Sequence, residues 1–172
     1  MKKIVLIGYM GSGKSTIGKI LSEKIAIPAF DLDKIIEEKT KKTIPELFSE
    51  IGEVRFRKIE HETLREFIAE KEDYILSLGG GAPCYANNHE FLQLEGIVSV
   101  YLKASVKELM QRLENEKAGR PLLASLKETE IEEFIAKHLF DRSYFYHQAK
   151  HVIAVDGKKP DHIVSEIESL LT

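Results

Sequence analysis

Gly8, Gly13, Lys14 and Ser15 stand at the spacing G-x-x-x-x-G-K-[ST] within Gly8-Tyr9-Met10-Gly11-Ser12-Gly13-Lys14-Ser15-Thr16, the pattern of a phosphate-binding P-loop. Glycines let successive backbone N–H groups turn inward around an anion, and a following helix aims its positive end at the same point. Lys14 has the reach for the β- and γ-phosphates of ATP, and the Ser15 hydroxyl can ligate Mg²⁺. Gly11, Ser12, Gly13 and Thr16 complete the cradle. A strand-to-helix turn without a ligand would also use glycine. The motif, however, lies between an apolar β-branched run and a helical pattern, the context its mechanism demands.

Four further groups of residues could do chemistry beside it. Asp31 and Asp33 flank Leu32, and alternation would put both carboxylates on one side if a strand ran through them. One could hold Mg²⁺ through water, and the other could accept a hydrogen bond or a proton from a substrate hydroxyl. An N-cap would account for one of the two. Gly79-Gly80-Gly81 follows an apolar run with no acid after it, so metal support shifts to Asp31 or Asp33. Three successive glycines also suggest close approach of backbone to a ligand. Arg55 and Arg57 could pair with neighbouring acids at the surface, or grip a carboxylate or phosphate in a cleft. The polar stretch from Asn115 to Leu123 reads either as a lid that carries Arg120 over the phosphates or as an ordinary surface loop.

The elements that must position these groups alternate. Strand candidates are Lys3–Ile7, Ala29–Leu32, Tyr74–Leu78, Ile97–Leu102 and Val152–Val155, separated by amphipathic patterns that include Lys34–Thr40, a stretch from Ile44 to about Glu70 interrupted at Gly52, Val106–Glu116 and Glu128–Tyr146. That alternation predicts an α/β fold with a central five-stranded parallel sheet flanked by helices, in which ligands sit beyond the carboxyl ends of the strands. With 172 residues, 43% of them hydrophobic, one core and a single domain over 1–172 are expected. A net charge of -3 offers no basic excess for nucleic acid. The absence of a membrane-length apolar run or signal pattern, together with the single Cys84, predicts a cytoplasmic protein with no membrane partner. From these residues alone, a small-molecule kinase and a nucleotide-driven switch both stand open.

Several motifs together resemble one family, the shikimate kinases. They are the P-loop, Phe30-Asp31-Leu32-Asp33, Gly52-Glu53 with Phe56-Arg57, Gly79-Gly80-Gly81-Ala82 and Arg120-Pro121-Leu122-Leu123, in matching order across nearly the whole chain. The resemblance implies transfer of the ATP γ-phosphate to the 3-hydroxyl of shikimate, with one Mg²⁺ and a monomeric enzyme. It implies that Asp33, Arg57, Gly79, Gly80, Gly81 and Arg142 bind shikimate, with the two arginines on its carboxylate and Asp33 and Gly80 at its ring hydroxyls. Lys14 and Arg120 would stabilise the transferring phosphoryl group, and Asp33 would orient the attacking hydroxyl. Ser15, with Asp31 through water, would hold the metal, and Arg112 would flank adenine. A substrate-binding excursion over about 33–61 and a lid over about 113–125 are implied as well. Tyr144 stands where the family usually has proline, which leaves the end of that helix open. The nearest competitors are gluconate-type and nucleoside monophosphate-type kinases.

Overall fold

In the computed structural model, which describes residues 1–116 and 126–172, five strands form one parallel sheet. They are β1 (Lys3–Ile7), β2 (Ala29–Asp31), β3 (Tyr74–Ser77), β4 (Ile97–Lys103) and β5 (His151–Ala154), in the order β2-β3-β1-β4-β5. β1 is central, with Leu6 opposite Ser77 of β3 and Val100 of β4. The chain first builds one side of the sheet and then crosses to the other. Its switch point lies beside the end of β1, where the P-loop begins.

Parallel strands need crossovers, and these cover both faces of the sheet. Ile4, Leu6, Ile75, Leu76, Val100 and Leu102 are buried completely, each contributing roughly 1.5–3 kcal/mol of apolar burial. The described helices are α1 (Lys14–Ile25), α2 (Leu32–Thr40), α3 (Ile44–Glu70), α4 (Val106–Asn115), α5 (Glu128–Tyr146) and α6 (Pro160–Ser169). None is long and apolar enough to cross a membrane.

Two boundaries differ from expectation in ways that bear on the site. β2 stops at Asp31 rather than Leu32, because the Asp31 side chain caps α2 by accepting from the Lys34 N–H at 3.3 Å. Asp33 therefore sits in the first turn of a helix, and strand alternation does not place it. α5 runs unbroken to Tyr146, so Tyr144 extends the helix where a proline would disturb it.

α3 begins with Pro45 in its first turn and a reciprocal Thr43–Glu46 capping box, which satisfies two free N–H groups. It is broken by Gly52 at φ 78°, ψ 170°, in open space. The chain turns there without crowding, and the second half of the helix carries Phe56, Arg57 and Glu60 to the site.

Candidate active site

The P-loop builds its cradle from backbone. Gly11 and Gly13 adopt φ of 83° and 99°, where a side chain would be strained, and α1 begins at Lys14 directly behind them. The Lys14 ammonium donates to the carbonyls of Gly8 at 2.7 Å and Tyr9 at 3.1 Å, folding over the loop. Gly11, Gly13, Lys14, Ser15 and Thr16 line a cavity of about 580 Å³ that also takes in Asp31, Asp33, Gly79, Gly80 and Arg112. Ser12 lies beneath the loop, buried. Arg112 crosses from α4, donating to the Gly11 carbonyl at 3.2 Å and pairing with Glu108 at 3.0 Å.

The triple glycine meets the opposite half of the site. None of the three occupies the left-handed region, so their backbone would accept other residues. Space is what requires glycine here. A Cβ on Gly79 would stand 3.0 Å from Asp33 Oδ1, one on Gly80 3.1 Å from Arg142 Nη1, and one on Gly81 2.7 Å from Arg57 Nη2. Each glycine thus makes room for one polar side chain brought in by a different helix. The close approach expected between this backbone and a ligand is, in the structure, an approach to the side chains that would face one.

Arg57 is held on several sides. Its Nη1 pairs with Glu60 at 2.8 Å, and the Tyr85 ring lies 4.1 Å from its guanidinium carbon, with Phe56 at 5.2 Å. The bland surface reading fails for Arg57, whose side chain is 14% exposed, and fits Arg55, which is exposed. Glu60 is 1% exposed, and burial pushes its carboxyl up despite the opposing Arg57 charge. Arg142 reaches in from α5. Its Nη1 donates to Tyr146 Oη at 3.5 Å, and that hydroxyl donates to the Gly80 carbonyl at 2.6 Å. Tyr146 is buried and Tyr144 exposed, so only part of the aromatic run at the end of α5 packs into the core.

Asp33 lies between the two halves. Burial first, then the charge of Asp31, pushes its carboxyl up to about 6 against the pull of Lys14 and Arg57. Such a carboxyl changes charge near neutral pH, as suits an acid-base group.

Ser15 and Asp31 border the same cavity, and among the described residues no group of three or more His, Cys, Asp or Glu side chains is arranged to hold a metal ion. That sparse oxygen donor set suits Mg²⁺, which keeps several waters and takes one or two protein ligands plus phosphates. Arg120 and most of the expected lid lie outside the described residues. Asp156 accepts from the Ser105 N–H at 2.9 Å and so joins the end of β5 to the start of α4. Glu60, Tyr85 and Tyr146 were not singled out from sequence as site residues. For Glu60 and Tyr146 the signal is helical spacing, since Glu60 follows Arg57 by three and Tyr146 follows Arg142 by four; Tyr85 offers none.

A family model described as shikimate kinase matches residues 10–172. The shikimate kinase of Flavobacterium psychrophilum is 54% identical over 171 residues, 99% of each chain. Among solved structures, the shikimate kinase of Bacteroides thetaiotaomicron superposes with a TM-score of 0.91 at 38% identity, over 99% of this chain and 98% of that one. The shikimate kinase of Acinetobacter baumannii in complex with shikimate gives 0.86 at 34% identity, over 99% and 93%. Sequence and architecture agree from end to end, and the chain belongs to the shikimate kinase family.

Proposed function

We propose that this enzyme, an ATP-dependent kinase acting on shikimate, transfers the γ-phosphoryl group of ATP to the 3-hydroxyl, giving shikimate 3-phosphate and ADP. The observation that carries this reading is the juxtaposition of Asp33, Arg142 and Arg57 on three successive glycines at the edge of the phosphate cavity. Adjacent Cα atoms are about 3.8 Å apart. The two guanidinium groups and the carboxyl are therefore neighbours, matched to an acceptor that carries one carboxylate and several hydroxyls.

The roles follow from position. Backbone N–H groups of Gly11 to Thr16 hold the phosphates. Lys14 leaves the loop carbonyls for the β- and γ-phosphates and stabilises the charge that develops during transfer. Arg57 and Arg142 bind the acceptor's carboxylate as planar forks, while the Gly80 backbone and Asp33 meet its hydroxyls. Asp33 aims the 3-hydroxyl at the phosphorus and takes its proton as the new bond forms, leaving ADP with the former bridging oxygen. Phosphoryl transfer asks mostly for such positioning. Ser15, and Asp31 through water, would hold Mg²⁺, which when bound neutralises phosphate charge. Arg112 is assigned to the adenine side and Arg120 to the phosphates. The 33–61 excursion serves as the acceptor module of a single 1–172 domain, and residues 113–125 serve as the lid. One chain carries both halves, so the reading needs no second copy.

The test is ADP release at fixed MgATP with and without shikimate. Turnover is expected to depend on shikimate and not on gluconate or a nucleoside monophosphate. ATP turnover indifferent to shikimate would overturn the reading.

A further inference from the structure

Tyr9 is the second residue of the P-loop, yet it does not line the phosphate cavity. Its side chain is 1% exposed, and its ring lies 5.5 Å from the guanidinium carbon of Arg142. Its hydroxyl reaches His138 Nδ1 on α5 at 2.9 Å. His138 precedes Arg142 by four residues, which puts both on one face of the helix, and its ring is fixed edge-on against Phe134 at 4.3 Å.

The same residue also serves Lys14, whose ammonium donates to the Tyr9 carbonyl. One P-loop residue therefore touches the cation of the donor half through its backbone and that of the acceptor half through its ring. We propose that Tyr9 and His138 form a positioning pair that fixes Arg142, and with it the acceptor's carboxylate, relative to the P-loop. The inference rests on the reading of Arg142 as a carboxylate contact.

Several observations favour this over simple core filling. A ring that only filled space would need no hydroxyl, and a buried hydroxyl must find a partner. The partner comes from the helix that carries Arg142. Burial and the nearby Arg142 charge push the His138 imidazole down in pKa, which favours the uncharged ring able to accept a hydrogen bond from the Tyr9 hydroxyl. Apart from this platform, Arg142 has a hydrogen bond of 3.5 Å to Tyr146 at one nitrogen, and a single bond there does not by itself fix the guanidinium plane. A planar fork that rotates loses the geometry that makes it selective for a carboxylate.

The experiment measures kcat and both KM values for His138→Ala, His138→Asn, Tyr9→Phe, the Tyr9→Phe/His138→Ala double variant and Arg142→Ala. His138→Ala and Tyr9→Phe should each raise the KM for shikimate about 3- to 10-fold, the scale of one lost hydrogen bond. The KM for ATP should move less than twofold. The double variant should lose no more than either single one, because both remove the same bond. His138→Asn, with an amide atom near the place of Nδ1, should recover most of the loss and serves in place of His138→Ala should that variant fold poorly. Arg142→Ala should raise the KM for shikimate more than any of them. A parental shikimate KM in His138→Ala and Tyr9→Phe, beside a raised one in Arg142→Ala, overturns the pair and leaves the function intact. An unchanged KM in Arg142→Ala overturns the reading of Arg142 as a carboxylate contact, and the pair with it, while shikimate-dependent ADP release still tests the function.

Discussion

The donor and acceptor halves of this site are built by opposite means. In the proposed reading, phosphates are met by a contiguous run, Gly8 to Thr16, through backbone amides, a helix end and a single lysine. The side chains proposed to meet the acceptor come from α2, α3 and α5 and converge on three consecutive glycines. A contiguous backbone site depends on local conformation. A convergent side-chain site depends on the whole fold and on the room left at one point in it.

The sharpest way to break the comparison is to strike the donor half at its lysine. Lys14→Ala should lower kcat on the order of 10²-fold or more, the usual scale for removing a group that stabilises transition-state charge, in a steady-state assay with both substrates saturating. Arg57→Ala strikes the acceptor half and should raise the KM for shikimate about tenfold or more while sparing that for ATP. It also strands the buried Glu60 carboxyl, so its melting temperature should fall. Adding Glu60→Gln should restore the melting temperature and leave the KM high, which separates folding from binding. Gly81→Ala tests the room directly. A Cβ 2.7 Å from Arg57 Nη2 must displace it, and the KM for shikimate should rise several-fold with kcat less affected.

A smaller effect concerns Asp33, whose carboxyl is raised from 3.8 to about 6. The folded protein binds that proton more tightly than the unfolded chain does, so the stabilisation it brings is full below 3.8 and is lost as pH rises through about 6. Nucleotide-free Asp33→Asn should therefore match the parent in thermal melts near pH 4. Above pH 6 it should exceed the parent by on the order of 1 kcal/mol, given the partial solvent contact of the group.

Legibility in the sequence divides along the same line. The P-loop could be read from spacing because its function is carried by nine adjacent residues. The strands followed from alternating composition, with ends displaced by a residue where a cap intervened, as Asp31 did. Arg57 looked like a surface residue because its neighbours in sequence say nothing of Tyr85 or Gly81, which come from another part of the chain. Arg142 emerged only from likeness to a family. The Arg57–Glu60 pair lies within the spacing of a single helix, whereas the Tyr9–His138 contact needs a loop and a helix to be placed first.

The three glycines also have an entropic side. Glycine loses more freedom on folding than any other residue, and exchange to alanine at a compatible backbone stabilises by about 0.4–1 kcal/mol. At Gly81, with φ -89° and ψ -15°, the backbone is compatible and the obstacle is the guanidinium of Arg57. Glycine at this position thus leaves the unfolded chain freer while keeping room for the Arg57 guanidinium. In an Arg57→Ala background the obstacle is gone, and Gly81→Ala, harmful in the parent, becomes a stabilising change.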